Sequence, residues 1–210
     1  MTEPTAEQKA AATKAKLKKQ GAAGSIVLAM ILGTIGLEGG YVNDKNDPGG
    51  ETNKGVTKTV ARAYNYTGPM KALPVDVAVS VYYDEYVVKA GLEPLVQINA
   101  PVVEELFDTG VNMGPARPAR WFEQSLNEIC GSRVPVTAKV NSVDVQAFAQ
   151  CQNRIGPKNA CLLFLDSLDA KQKAEYYRLF AINPKLLKYK NGWLNKRIGN
   201  VPRQHCEVKT

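Results

Sequence analysis

The chain has one histidine, His205, five residues from the C-terminus. A Ser-His-Asp or Cys-His hydrolase is not expected on such a residue. The four cysteines, Cys130, Cys151, Cys161 and Cys206, are scattered. With a single histidine they supply no ligand set for a multi-ligand zinc site, so neither metal nor cofactor is expected. The sequence also lacks a zinc finger, an aromatic RNA-binding signature and a phosphate-cradling Gly-rich loop, and no nucleic-acid partner is expected. Repeats and low-complexity segments are missing too. Acid–base chemistry in this chain must run on carboxylates.

What is present is ordinary globular composition: 210 residues, 44% hydrophobic and 22% charged. At ~150 residues per domain this is one large domain or two small ones, long enough to bury a core without disulfides. The formal net charge is +7 and favours a polyanionic partner, whether nucleic acid, anionic membrane or bacterial envelope. Lys and Arg are dispersed from Lys54 to Lys209, so charge alone does not choose among these.

The N-terminus is uneven. Residues 1–19 read as a basic tail, with Lys9, Lys14, Lys16, Lys18 and Lys19 against Glu3 and Glu7. Residues 20–37, QGAAGSIVLAMILGTIGL, hold no charge at all. As a helix at ~1.5 Å per residue they span roughly 27 Å, just short of a ~30 Å hydrocarbon core. A basic flank ahead of an apolar run fits the positive-inside rule and leaves the remainder outside the cytoplasm. Gly21, Ala22, Ala23, Gly24, Ala29 and Gly33 make the segment a weak anchor, from which escape is conceivable. The alternative is a buried helix of a soluble domain, since only Ser25 and Thr34 interrupt the apolar circumference.

The most informative stretch follows: EGGYVNDKNDPGGETNKGVT, residues 38–57. Glu38 stands where an apolar helix meets Gly39-Gly40, and burial there would raise its pKa toward that of a general acid. Asn43, Asp44, Asn46, Pro48, Gly49 and Gly50 spell a tight turn or short hairpin that can fold a second carboxylate, Asp47, back across a cleft. Two facing carboxylates with a nearby hydroxyl, Thr52, are the minimal kit for cutting a glycosidic bond. Asp44 and Asp47 can instead simply hydrogen-bond turn amides.

This string closely resembles the signature of glycoside hydrolase family 108, the phage and bacterial N-acetylmuramidases. VYYDEYVVKAGLEPL resembles the tyrosine-rich helix of that family, and FDTGVNMGPARPARWFEQSLN, residues 107–127, its next block. GWLNKR, residues 192–197, resembles the end of the helical peptidoglycan-binding region usually joined to it. The resemblance implies a mainly α, α+β lysozyme-like fold: a helical bundle with a small β-hairpin at the active site and an apolar N-terminal helix. It implies a muramidase catalytic region over 26–98, a helical peptidoglycan-binding region over 99–200 and a C-terminal tail over 201–210.

By position, Glu38 would be the catalytic acid, Asp47 its electrostatic partner and Thr52 the water-positioning hydroxyl, with Asp44 able to exchange with Asp47. Tyr41 and Asp44 would contact substrate. Asp108 and Asn112 fall on the F-D-x-x-V-N element and would line the cleft, unless they cap or cross-link helices. Two departures stand out. Lys54 occupies a position where aromatic or small residues are commoner, and residues 20–37 lack the polar groups usual before the glutamate. The latter resembles the signal-anchor-release segment of phage endolysins.

The expected protein is thus a monomeric endolysin acting on peptidoglycan. It would be tethered to the host inner membrane through 20–37, on the periplasmic face, and then released to the periplasm. A lytic transglycosylase and a non-catalytic, membrane-tethered wall-binding protein are the alternatives. The cysteines form an even set that a periplasmic destination would allow to pair, in any of three ways, or to remain buried thiols.

Overall fold

A computed structural model describes residues 3–37, 40–43 and 50–207 of the chain. It is mainly helical with one small antiparallel hairpin, and it divides into two compact units, Met1–Val88 and Lys89–Thr210. The division falls earlier than the 98/99 boundary expected from sequence. Gly91, with φ +79°, turns the chain where a Cβ would stand 1.9 Å from the Val140 carbonyl oxygen. Val140 N–H donates to Ala90 at 3.2 Å, so residues 89–92 are stitched to the second unit.

In the first unit, α1 (Ala6–Lys19) occupies most of the segment read as a tail. Thr5 and Gln8 close a capping box over its first turn. Beneath the lysines, Ala6, Ala10, Thr13 and Leu17 recur at helical spacing and are buried, packed on α4 (Val75–Tyr83). Lys9 and Lys16 lie over the rings of Tyr64 and Tyr83 at 4.7 and 5.2 Å. A strip of small residues among five lysines hides this helix in the sequence.

Gly21, at φ +59°, separates α1 from α2 (Ala22–Leu37). The two helices cross closely because Gly24 has no side chain: a Cβ there would lie 1.9 Å from the Leu17 carbonyl oxygen. Val27, Ile31, Thr34 and Ile35 of α2 are buried, whereas Ile26, Leu28 and Leu32 remain 39%, 36% and 43% exposed. A groove of about 390 Å³ runs along α1, α2 and α4, walled by Leu17, Leu28, Leu32 and Val79 with Lys14 and Lys18 at its rim. Among the described residues, no helix is long and apolar enough to cross a membrane. The unit is completed by the hairpin β1 (Thr52–Asn53) and β2 (Val56–Thr57) and by the short α3 (Lys58–Ala63).

The second unit holds α5 (Glu93–Val96), α6 (Ala100–Met113), α7 (Ala116–Cys130), α8 (Ser142–Ile155), α9 (Pro157–Ile182) and α10 (Lys190–Lys196). Phe122, Phe148 and Phe164 meet at its centre, with ring centroids 4.7 to 5.5 Å apart and no solvent exposure. The cysteines pair as Cys130–Cys151, joining α7 to α8, and Cys161–Cys206, joining α9 to the C-terminal segment. At sequence separations of 21 and 45, loop-closure entropy assigns them about 3 and about 4 kcal/mol. Buried Glu123 accepts from both the backbone N–H and the hydroxyl of Thr137 at 2.5 Å, which fastens the α7–α8 connection.

Candidate active site

α2 ends at Leu37, one residue before Glu38. Glu38 itself, Asp44 and Asp47 lie outside the described residues, whereas Tyr41, Thr52, Asp108 and Asn112 lie within them. What the structure describes is therefore the chain on either side of the expected acids.

That chain forms a small sheet. Thr52 pairs with Thr57 across the hairpin, and on its other side Val42 and Thr52 exchange two backbone hydrogen bonds of 2.8 and 2.9 Å. The Val42–Thr52 pair thus brings together the chain on the two sides of residues 43–51. Asn53 and Val56 face each other around the two-residue turn Lys54-Gly55, both with positive φ, which is type I′ geometry. Gly55 adopts it freely. Lys54 does so at a cost of roughly 1–2 kcal/mol, offset in part because its ammonium donates to the Leu73 carbonyl at 2.9 Å. The unusual lysine thus anchors the turn. Buried Asn53 adds a second anchor, donating to the Met70 carbonyl at 2.7 Å.

Strand alternation sends neighbouring side chains to opposite faces. Half-buried Thr52 presents its hydroxyl 3.3 Å from the Gly50 carbonyl, to which it donates. Glu51, on the other side, accepts from the Tyr41 hydroxyl at 2.9 Å and pairs with the Lys58 ammonium at 3.0 Å. The Lys58 bond first, then that of Tyr41, holds the Glu51 carboxyl below its ordinary pKa. The same Glu51 bond raises the Tyr41 hydroxyl above its own. Glu51 stays ionised and fixes the ring of Tyr41. Sequence reasoning passed over this residue, although it lies inside the quoted D-P-G-G-E-T string. Its parity with Asn53 along the strand and a lysine opening the next helix were the available signals.

Asp108 and Asn112 stand one helical turn apart on α6 of the second unit. Asp108 is buried and accepts from Arg197 at 2.6 Å, so it cross-links α6 to the end of α10, while Asn112 is half-buried. Next to Asp108, Glu105 is fully buried and accepts from the Thr109 hydroxyl at 3.1 Å. Burial, then the charges of Asp169 and Asp108, push its pKa up to about 8. Glu105 is therefore a neutral acid near pH 7. Among the described residues, no group of His, Cys, Asp and Glu is arranged to hold a metal ion.

Residues 31–114 match the glycosyl hydrolase 108 family model. The match runs from within α2, through the sheet, to the glycine that ends α6. The fold is similar to that in "Structure of Brucella abortus SagA", with a TM-score of 0.59 and 24% identity, over 88% of this chain and 95% of that one. No curated protein matches the sequence.

Proposed function

Proceeding from a chain whose residues 31–114 carry a glycosyl hydrolase 108 segment, we propose that it hydrolyses the β-1,4 bond between N-acetylmuramic acid and N-acetylglucosamine in peptidoglycan, as a phage endolysin that lyses its host. The observation that carries this reading is that the family match covers the E-G-G-Y element, the D-P-G-G-E-T string and the small sheet in which Val42 pairs with Thr52. Glu38 follows an apolar helix and would protonate the leaving oxygen. Asp47 would steady the oxocarbenium-like transition state, and Thr52 would orient the water. Asp44 and Tyr41 would contact the sugar, with the Tyr41 ring fixed by ionised Glu51. Asp108 and Asn112, on the F-D-x-x-V-N element, would also contact substrate, and residues 99–200 would form the helical wall-binding region.

The test is mass spectrometry of purified peptidoglycan digested by the wild type and by Glu38→Gln. Reducing-end muramic acid from the wild type, lost in the variant, is the expected result. Anhydro-muramic ends would make the chain a lytic transglycosylase and remove the role of Asp47. No soluble fragments from either would leave a wall-binding protein.

Within this reading, residues 20–37 would first serve as a membrane tether on the periplasmic face and then refold. Two features support it: the segment has no charge, and α2 keeps Ile26, Leu28 and Leu32 exposed beside an apolar groove. While the segment lies in a bilayer, α2 cannot deliver Glu38 to the sheet, and acid catalysis needs placement within about an ångström. Two packings of one segment make the switch. The two disulfides fit an oxidising, periplasmic destination. Leu32→Lys, at an exposed position, should move the expressed protein from the alkali-resistant membrane fraction to the soluble one with its activity on purified wall intact. A wild type that is never membrane-bound would end the tether reading.

A further inference from the structure

The positive charge is less dispersed than its spread along the sequence implies. Residues 176–206 contain seven Lys and Arg and no Asp or Glu, which equals the whole formal net charge of +7. The rest of the chain is balanced. Three of these cations are committed within the second unit: Arg178 to Glu175, Arg197 to Asp108, and Arg203 to Asp166 and Asp169. Lys185, Lys188, Lys190 and Lys196 have no carboxylate partner among the described residues.

These four lysines belong to the 3₁₀ turn Pro184–Tyr189 and to α10, which with the end of α9 carry exposed apolar side chains. Ile182 is 65% exposed, Leu187 50%, Tyr177 46% and Tyr189 45%. Ring contacts join the aromatic members of this region, and Ile182 and Leu187 lie close to them in the chain. Trp193 stacks on Tyr189 and on Phe180, each with centroids 5.6 Å apart, and Tyr177 meets Phe180 at 6.2 Å. Lys188 lies over Tyr189 at 4.8 Å and Lys190 over Tyr177 at 5.6 Å, so the ammonium groups border the rings directly.

We propose that this C-terminal patch docks on the surface of an anionic phospholipid bilayer. Exposed aliphatic residues among lysines, with tyrosine and tryptophan beside them, match an interface where hydrocarbon begins a few ångströms below a negative layer. Lysine stems lie along apolar surface while their heads reach phosphate. A glycan strand is a poorer match. Sugars need open ring faces, and Trp193 is already stacked on its neighbours, while Ile182 and Leu187 offer a saccharide nothing specific. Nucleic acid would use the lysines but leave both aliphatic side chains in water. The patch lies far along the chain from residues 20–37 and does not depend on the catalytic reading.

The test is co-sedimentation of the full chain with vesicles of phosphatidylcholine alone or with one-third phosphatidylglycerol, followed also by Trp193 fluorescence in a Trp121→Phe background. The wild type should bind the anionic vesicles, release them in high salt and shift Trp193 emission to the blue. The pair Ile182→Glu with Leu187→Glu should weaken binding at least tenfold. Changing Lys185, Lys188, Lys190 and Lys196 to Gln should weaken it about a hundredfold, since each lysine near such a surface contributes severalfold. All six positions are at the surface, and unchanged circular dichroism and melting in both variants would show that folding is intact. Residues 20–37 are untouched, so binding that survives in both variants is carried elsewhere and overturns the proposal. Equal binding to neutral vesicles overturns it, as does capture by purified sacculi in place of vesicles.

Discussion

The two units reach stability by opposite routes. The first, Met1–Val88, contains no cysteine and no phenylalanine, and the aromatics it buries are tyrosines, Tyr64, Tyr66, Tyr82 and Tyr83. It relies on small residues that let helices approach, Gly24 on Leu17 and Ala6 and Ala10 on α4, and on single anchors such as Asn53 and Lys54. The second, Lys89–Thr210, has a phenylalanine centre, two disulfides and buried carboxylates held by arginines. Small-residue contacts offer a modest transfer free energy and lose much of it when separation grows slightly. Under the proposed tether, the unit that would deliver the catalytic acid is the one without covalent closure.

Reduction of the disulfides should break the comparison most strongly. Loss of both removes up to about 7 kcal/mol of loop-closure stabilisation from the second unit. Hydrogen exchange read by mass spectrometry should then show lost protection in α7, α8, α9 and residues 201–206, with α1, α2 and α4 unchanged. Next in size is Gly24→Leu. No rotamer relieves a Cβ 1.9 Å from a backbone oxygen, so α1 and α2 must separate, at about 3 kcal/mol. Exchange should rise in α1, α2 and α4 and stay constant in α7 to α9. If either change spreads to the other unit, the two are not independently stabilised.

A smaller effect tests the second unit by pH. Glu105 holds its proton to about 8 against an ordinary value of 4.5. Between those values the native state binds more protons than the unfolded chain, so stability falls as pH rises across that window. Glu105→Gln keeps the shape and an acceptor for Thr109 but cannot ionise. The variant should gain roughly 1–2 kcal/mol over the wild type at pH 8 and little at pH 5, a reading that thermal melts at the two values provide. Asp108 and Asp169, whose charges bias Glu105 toward its neutral form, pair with Arg197 and Arg203. The difference between wild type and variant isolates Glu105 from the buried Glu123 and Asp144, whose pKa values burial also raises.

The mainly helical fold with a small hairpin was implied by the resemblance. The turn expected over residues 43–50 lies largely outside the described residues, and the turn observed at Lys54-Gly55 was not read. α1 was not legible, since its buried face is alanine and threonine, which carry little hydropathy beside five lysines. The unit boundary was hidden as well. It depends on Gly91 meeting Val140, a contact across 49 positions that no window contains. The pairing of cysteines is likewise a long-range fact. At the sheet, Glu51 was overlooked because an adjacent acid in a turn reads as solvated surface until its partners are seen.

Glu51 sharpens the contrast between units in its smallest form. It and Glu105 are the same residue type with pKa values moved in opposite directions, Glu51 down by Lys58 and Tyr41, Glu105 up by burial. Removing the Glu51 charge should hardly change stability, because exposed pairs contribute little. It should instead loosen the Tyr41 ring. Glu51→Gln is therefore expected to lower kcat on cell wall severalfold while shifting Tm by no more than ~2 °C. Tyr41→Phe should do the same, since each variant weakens the same hydrogen bond. Their combination should be little worse than either alone, because residues acting through one shared contact are not additive. Full additivity in kcat would mean that Tyr41 and Glu51 contribute separately, and that the 2.9 Å bond between them positions nothing.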